Sequence, residues 1–210
     1  MDLERANRYI DGLYSKEQLL RKAEFLRATA LQNFTEVVDD DVARLIRLLI
    51  LISRPKRILE IGTSIGFSTC SMASMLKKTG GQITTIEFDP VVAEQAKSHF
   101  NRLGYQDVVD LRVGDARNIL PTLEPDYDMV FQDADKRLYP ELLPDCLHLL
   151  RPGGLLLAED SLFPVMELDT RYHALIEPIN RFNTMIAEST GLFSTLLPLG
   201  DGLTVAVKLD

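Results

Sequence analysis

The chain has 210 residues, 46% of them hydrophobic and 26% charged, a formal net charge of -8 and two cysteines. That length suits one compact domain, and the acidic balance argues against broad contact with nucleic acid, where a basic face supplies the affinity. The longest apolar runs, LIRLLILI and GGLLLA, fall well short of the roughly 20 residues a membrane helix needs. The first residues, MDLERANRYI, lack the apolar stretch of a secretory signal, so a cytoplasmic protein is expected, with Cys70 and Cys146 as free thiols in packed helices.

In chain order, residues 4–14, 15–32 and 39–53 read as helices, with Ser15 capping the second and the acids Asp39, Asp40 and Asp41 opening the third. From Lys56 the pattern changes to short apolar strands alternating with helices. RILEI (57–61) precedes a helix over 67–78, and QITTIE (82–87) precedes one over 90–104. VVDLRVG (108–114) and YDMVFQD (127–133) are strands, 138–150 is a helix, and GGLLLAE (153–159) is a strand. Strands separated by helices of this length imply right-handed crossovers and a parallel sheet covered on both faces. Residues 171–190 read as helical, and FSTLLPL and GLTVAVKL around GDG form an antiparallel hairpin at the sheet edge. The expected fold is a doubly wound, mostly parallel α/β sheet with a carboxyl-terminal antiparallel hairpin. No repeat or linker divides it, so residues 1–210 form one domain, with 1–53 as a helical cap on an α/β core of 54–210.

In such a sheet ligands bind beyond the carboxyl ends of the strands, where the strand order reverses. The stretch ILEIGTSIGFST (58–69) is a buried strand running into a turn with Gly62 and Gly66, where backbone could approach a ligand closely. Neither the G-x-G-x-x-G dinucleotide fingerprint nor the G-K-[ST] phosphate loop is present: position 64 is Ser64, and no lysine follows Gly66. Instead, acids mark three successive strands: Glu60 inside the first, Glu87 at the end of the second and Asp115 at the end of the third. A buried Glu60 needs a partner, either the positive centre of a ligand or hydroxyls of its own core. Glu87 is placed to accept both hydroxyls of a ribose, and Asp115 could face an adenine amino group. A nucleoside with a positive centre and no phosphate is S-adenosylmethionine. The three histidines, His99, His148 and His173, read as surface or packing residues, and Met72 and Met75 as core.

Taken together, LEIGTSIGFST, IEFDP, GDA, YDMVFQDADKRLYPELL, LLRPGGLLLAEDSLF and LPLGDGLTVAVK resemble the metal-dependent O-methyltransferases of the catechol and caffeoyl-CoA type, from Lys56 to the carboxyl terminus. The resemblance implies the seven-stranded, Rossmann-like methyltransferase fold. It also implies that Glu60, Gly62, Ser64 and Ser68 surround the methionine part of the cofactor. Glu87 would take the ribose hydroxyls with Phe88 beside the adenine, and Asp115 and Ala116 would sit at the adenine edge. Asp133, which opens DADK, would ligate a divalent metal and contact the cofactor, with Lys136 as general base. Oxygen ligands favour Mg2+, with Mn2+ or Ca2+ as alternatives.

The remaining metal ligands of the family are an Asp-Asn pair after the PGG strand, and that pair falls here on Glu159 and Asp160. Three acids would leave about one net negative charge around a divalent ion where the family pattern is neutral. A register slipped by one residue would use Asp160 and Ser161 instead. The favoured activity is methyl transfer to a hydroxyl of a catechol-like small molecule by a homodimer. Two alternatives differ in class. One is methylation of a hydroxylated uridine in transfer RNA, since NRYIDGLY and IEPINRF resemble bacterial relatives with that substrate and a contiguous basic rim would favour it. The other is a non-catalytic interaction protein, which would lack convergence of Glu159 and Asp160 with Asp133.

Overall fold

The computed structural model describes residues 3–14, 16 and 19–209; Ser15, expected to cap a helix, lies outside them. Helix α1 (Leu3–Tyr14) and the short α2 (Lys22–Ala28) precede α3 (Asp40–Ser53). Asp40 and Asp41 in the first turn of α3 meet the positive end of its dipole, and Val42, Ala43, Ile46 and Ile50 make a buried stripe at helical spacing. The α/β alternation follows: β1 (Arg57–Ile61), α4 (Phe67–Thr79), β2 (Gln82–Glu87), α5 (Pro90–Leu103), β3 (Val109–Val113), α6 (Ala116–Ile119), β4 (Tyr127–Gln132), α7 (Tyr139–Leu149) and β5 (Leu150–Ala158). Helix α8 (Ile176–Ala187) leads to the hairpin β6 (Leu192–Leu197) and β7 (Leu203–Lys208).

The seven strands lie in the order β3-β2-β1-β4-β5-β7-β6. The first five pair in parallel, while β7 pairs antiparallel with both β5 and β6. The chain therefore winds outward from β1 in one direction and from β4 in the other, and the order reverses between them, at the crevice expected to hold a ligand.

Side chains on β1 alternate between two separate cores, as the pleat dictates. Ile58 joins Met129, Phe131 and Leu157 under α3, α4 and α5. Leu59 and Ile61 join Val130, Leu156 and Ala158 under α7 and α8. Cys70 and Cys146 are buried free thiols on α4 and α7, and Met72 and Met75 are core, as expected. Among the described residues no helix is long and apolar enough to cross a membrane.

Three local expectations need correction. Among the described residues of the helix expected over 15–32, only Lys22–Ala28 is helical. Thr29 is extended, and the chain beyond it crosses the molecule so that Val37 and Val38 are buried and the Thr35 carbonyl receives the Ser64 hydroxyl. Tertiary contact has overridden helix propensity there. Residues Thr170–Leu175 form tighter 3-10 turns, and the α-helix begins only at Ile176. An α-helix from residue 171 would need an N–H from Pro178 to reach the carbonyl of Ala174, and proline has none. The four-residue α6 was not anticipated; Asp115 caps it by accepting a hydrogen bond from Arg117 N.

A candidate active site at the strand ends

Glu60 and Thr85 are register partners on β1 and β2, so their side chains share a face. Glu60 is wholly enclosed, and its carboxylate accepts hydrogen bonds from the hydroxyls of Ser68 (2.6 Å), Thr85 (2.6 Å) and Thr69. Burial pushes its pKa from 4.5 to about 7 against those three hydrogen bonds. Of the two readings open from sequence, the structure supports the core acid satisfied by its own hydroxyls, and it turns Ser68 inward with it.

The turn after β1 is held by close approach of the chain to itself. At Gly62, where φ is +102°, an added Cβ would lie 2.1 Å from the Asp133 carbonyl oxygen, so only glycine lets the ends of β1 and β4 meet. Gly66, at φ +86°, leaves room for the Phe100 ring of α5. Space expected for a ligand beside these glycines is thus taken by protein on the Cβ side. Glu87 ties the turn to β2, accepting from Ser64 N (2.8 Å) and Asp89 N (2.9 Å). Phe88 is exposed, Ala116 is buried, and Asp115 is ion-paired with Arg117 at 2.6 Å. That guanidinium holds the Asp115 carboxyl below its ordinary value. His99 is a packing residue, with Nδ1 2.8 Å from the Ile65 carbonyl and its ring edge-on to Phe25.

Across the crevice, Asp133 follows β4, and Glu159 and Asp160 follow β5. One carboxylate oxygen from each lies within 4.8 Å of the other two. The first register, Glu159 with Asp160, is therefore the one that converges. Asp160 adopts a left-handed conformation, φ +61°, which among non-glycine residues asparagine and aspartate tolerate best. Between these acids stands a group that the charge count from sequence left out. Lys136 Nζ is 2.6 Å from Asp133 Oδ1 and 2.9 Å from Asp160 Oδ2, with its side chain only 6% exposed.

The ammonium also donates to the Tyr139 hydroxyl at 3.1 Å. Tyr139, fully buried, donates in turn to the Gln132 carbonyl (2.8 Å). Burial opposes the charge on Lys136, yet Asp133, Tyr139 and Asp160 hold its pKa well above the usual lysine value. Burial and the neighbouring Asp160 push Glu159 up to about 11, so with protein groups alone around it Glu159 carries a proton. Burial lifts Asp133 to about 6 against the pull of Lys136.

Sequence reasoning missed Tyr139 and Lys22. The spacing of Lys136 and Tyr139, three residues apart at a helix start, is a signal for the first. Lys22, which pairs with Asp39 at 2.9 Å, adds a second positive charge that favours ionised Asp133 and Asp160. Nothing local in sequence links Lys22 to the site.

Residues 14–209 match the O-methyltransferase family. A catechol O-methyltransferase of Niastella koreensis is 32% identical over 216 residues, spanning 97% of this chain and 96% of that protein. A caffeoyl-CoA O-methyltransferase of Populus kitakamiensis is 28% identical over 210 residues, spanning 94% and 88%. Among solved structures, the O-methyltransferase TomG of Streptomyces achromogenes, in complex with SAM, superposes with a TM-score of 0.82 at 29% identity over the full length of both chains. An O-methyltransferase of Bacillus cereus, in complex with SAH, superposes with a TM-score of 0.79 at 28% identity, covering 95% of this chain and 97% of the other. With a family match over residues 14–209 and relatives and structures matching across nearly the whole chain, the chain belongs to the O-methyltransferase family and is a methyltransferase.

Proposed function

We propose that the chain transfers a methyl group from S-adenosylmethionine to a hydroxyl of a catechol-like small aromatic, with a divalent metal held by Asp133, Glu159 and Asp160. The observation that carries this reading is the convergence of those three carboxylates at the ends of β4 and β5. An oxygen-only donor set suits a hard cation such as Mg2+. When bound, such an ion supplies Lewis acidity that eases loss of a proton from a hydroxyl it touches.

The chain's own groups do the rest. Glu87 accepts one N–H on each carboxylate oxygen, and a carboxylate has about four acceptor positions, which leaves capacity for two ribose hydroxyls. Gly62, Ser64, Phe88, Asp115 and Ala116 line the strand ends on either side of it. Methyl transfer from a sulfonium is an in-line displacement, so holding acceptor oxygen, methyl and sulfur in line is most of the catalysis. Lys136 Nζ is placed to take the acceptor's proton. As an ammonium between two carboxylates it has no lone pair, so it can do so only after giving up a proton of its own to solvent.

Two observations favour a small-molecule acceptor over RNA and over a non-catalytic role. Arginines that could build a basic rim pair with acids two residues earlier: Arg112 with Asp110, Arg117 with Asp115, Arg137 with Asp135 and Arg171 with Asp169. The acid trio also converges, which a chain that had lost its metal site has no reason to keep. A homodimer and a cytoplasmic location belong to the same reading. For the dimer, a groove of about 410 Å³ is lined mostly by apolar residues, among them Ile10, Tyr14, Leu45, Leu48, Leu197 and Leu199.

The test is transfer of a labelled methyl group from S-adenosylmethionine to catechol and, in parallel, to unmodified and hydroxyuridine-bearing transfer RNA, each with Mg2+ and with chelator. Turnover of catechol that disappears with chelator is expected. Transfer to RNA alone would replace the substrate proposed here, and undiminished turnover in chelator would remove the metal.

A further inference from the structure

We propose that Lys136 is a built-in counter-ion for the acid trio, and that a divalent cation competes with its ammonium for the same oxygens of Asp133 and Asp160 and displaces it. This rests on the metal-assisted reading above. The position of Nζ carries the argument: it bridges Asp133 Oδ1 and Asp160 Oδ2 inside a cluster whose carboxylate oxygens all lie within 4.8 Å of one another. Contacts of 2.6 and 2.9 Å are those of charge-assisted N–H···O hydrogen bonds. A small cation bound by these acids, at about 2.1 Å from each oxygen, would stand within a few ångströms of where Nζ now lies. Two positive centres so close in a buried site repel strongly.

The fold leaves the displaced ammonium a partner. Tyr139 already accepts one of its hydrogens at 3.1 Å, and the ammonium lies 5.1 Å from the centroid of that ring. Tyr139 is itself anchored to the Gln132 carbonyl at 2.8 Å, so it stays in place when Lys136 lets go. One lysine thus has two seats. Between the carboxylates it keeps acids assembled that would otherwise repel one another, and off them it remains an ammonium held by Tyr139. Loading of the metal and release of the ammonium from the carboxylates become a single event.

The experiment uses the full chain and Mg2+ or Mn2+ alone, with no methyl donor or acceptor. Calorimetry measures ion affinity for the parent and for Lys136→Met, and NMR of 15N-lysine-labelled parent protein follows exchange of the Lys136 ammonium hydrogens with water. Expected are affinity at least about tenfold tighter in Lys136→Met, from removal of a competing charge, and exchange of the Lys136 hydrogens at least about tenfold faster when Mg2+ saturates the parent, as their partners are lost. Lys136→Met should also melt below the parent in chelator and gain more from Mg2+ than the parent does. If Mg2+ binds the parent while exchange at Lys136 stays slow, the ion sits beside the lysine; displacement is overturned and the metal reading stands. If neither protein binds either ion, both readings fall together. Should Lys136→Met fail to fold even with Mg2+, the exchange measurement on the parent decides alone.

Discussion

Two buried acidic sites lie on neighbouring strands of the same sheet, and the fold satisfies them in different ways. Glu60 is surrounded by neutral donors, the hydroxyls of Ser68, Thr69 and Thr85, all from elements packed around β1. Asp133 and Asp160 are satisfied by a charge, the ammonium of Lys136. Hydroxyl donors carry no charge that a ligand could replace, so the Glu60 cluster is closed and structural. A single ammonium shared by two carboxylates is a partner that another cation can substitute. The contrast separates an acid that holds the turn after β1 in place from acids available for chemistry.

The contrast is sharpest at Lys136. Lys136→Met should lower the rate of methyl transfer by about 10²–10⁴-fold, the range for loss of a general base, with cofactor affinity unchanged. A rate within tenfold of the parent, measured under single turnover, would make the lysine a counter-ion only. At the closed site the effect should fall on stability. Glu60→Ala leaves three buried hydroxyls without their acceptor and a cavity behind, at a cost of about 2–4 kcal/mol in urea unfolding. A loss below about 1 kcal/mol would mean the hydroxyls find other partners.

A pH titration separates burial from pairing. The folded Glu60 carboxyl keeps its proton up to about pH 7, while in the unfolded chain it gives it up near 4.5. Between those values the folded state binds more protons, so its contribution is complete below pH 4.5 and is lost as pH rises through 7. The loss is on the order of 3 kcal/mol, and Glu60→Gln should flatten that part of the stability profile. An unchanged slope would place the titration elsewhere. The smallest effect is expected at Glu87, whose carboxylate remains partly open. Glu87→Gln keeps the shape of the side chain but loses charge-assisted acceptance, and should weaken binding of S-adenosylmethionine by about tenfold, or 1.4 kcal/mol. No change in calorimetry would show that Glu87 serves only the backbone of the turn.

How much of this could be read from the chain depends on distance along it. Strands β1, β2 and β4 were legible within a residue or so because a short apolar run between polar and turn residues is a local property. Glycines 62 and 66 were legible as special, but the bodies that make them necessary, the Asp133 carbonyl and the Phe100 ring, are 71 and 34 residues away. Glu60 was legible as a buried acid in need of partners. That Thr85 supplies one of them follows from the pairing register of β1 and β2. The segment after Thr29 misled a helical reading because its extended path is set by burial of Val37 and Val38 rather than by propensity.

The amino-acid sequence by itself determined the alternation of strands and helices, the hairpin at the edge, the acids at the strand ends and the motifs shared with the O-methyltransferase family. All of these are local patterns of burial, capping and residue type. Only the tertiary structure decided that Glu60 is closed by three hydroxyls, that Glu159 rather than Ser161 joins Asp133 and Asp160, and that Lys136 stands among them. Those outcomes depend on which strands lie side by side and in what register. That choice belongs to the whole sheet, because a one-residue slip of β5 against β4 would carry Glu159 to the other face.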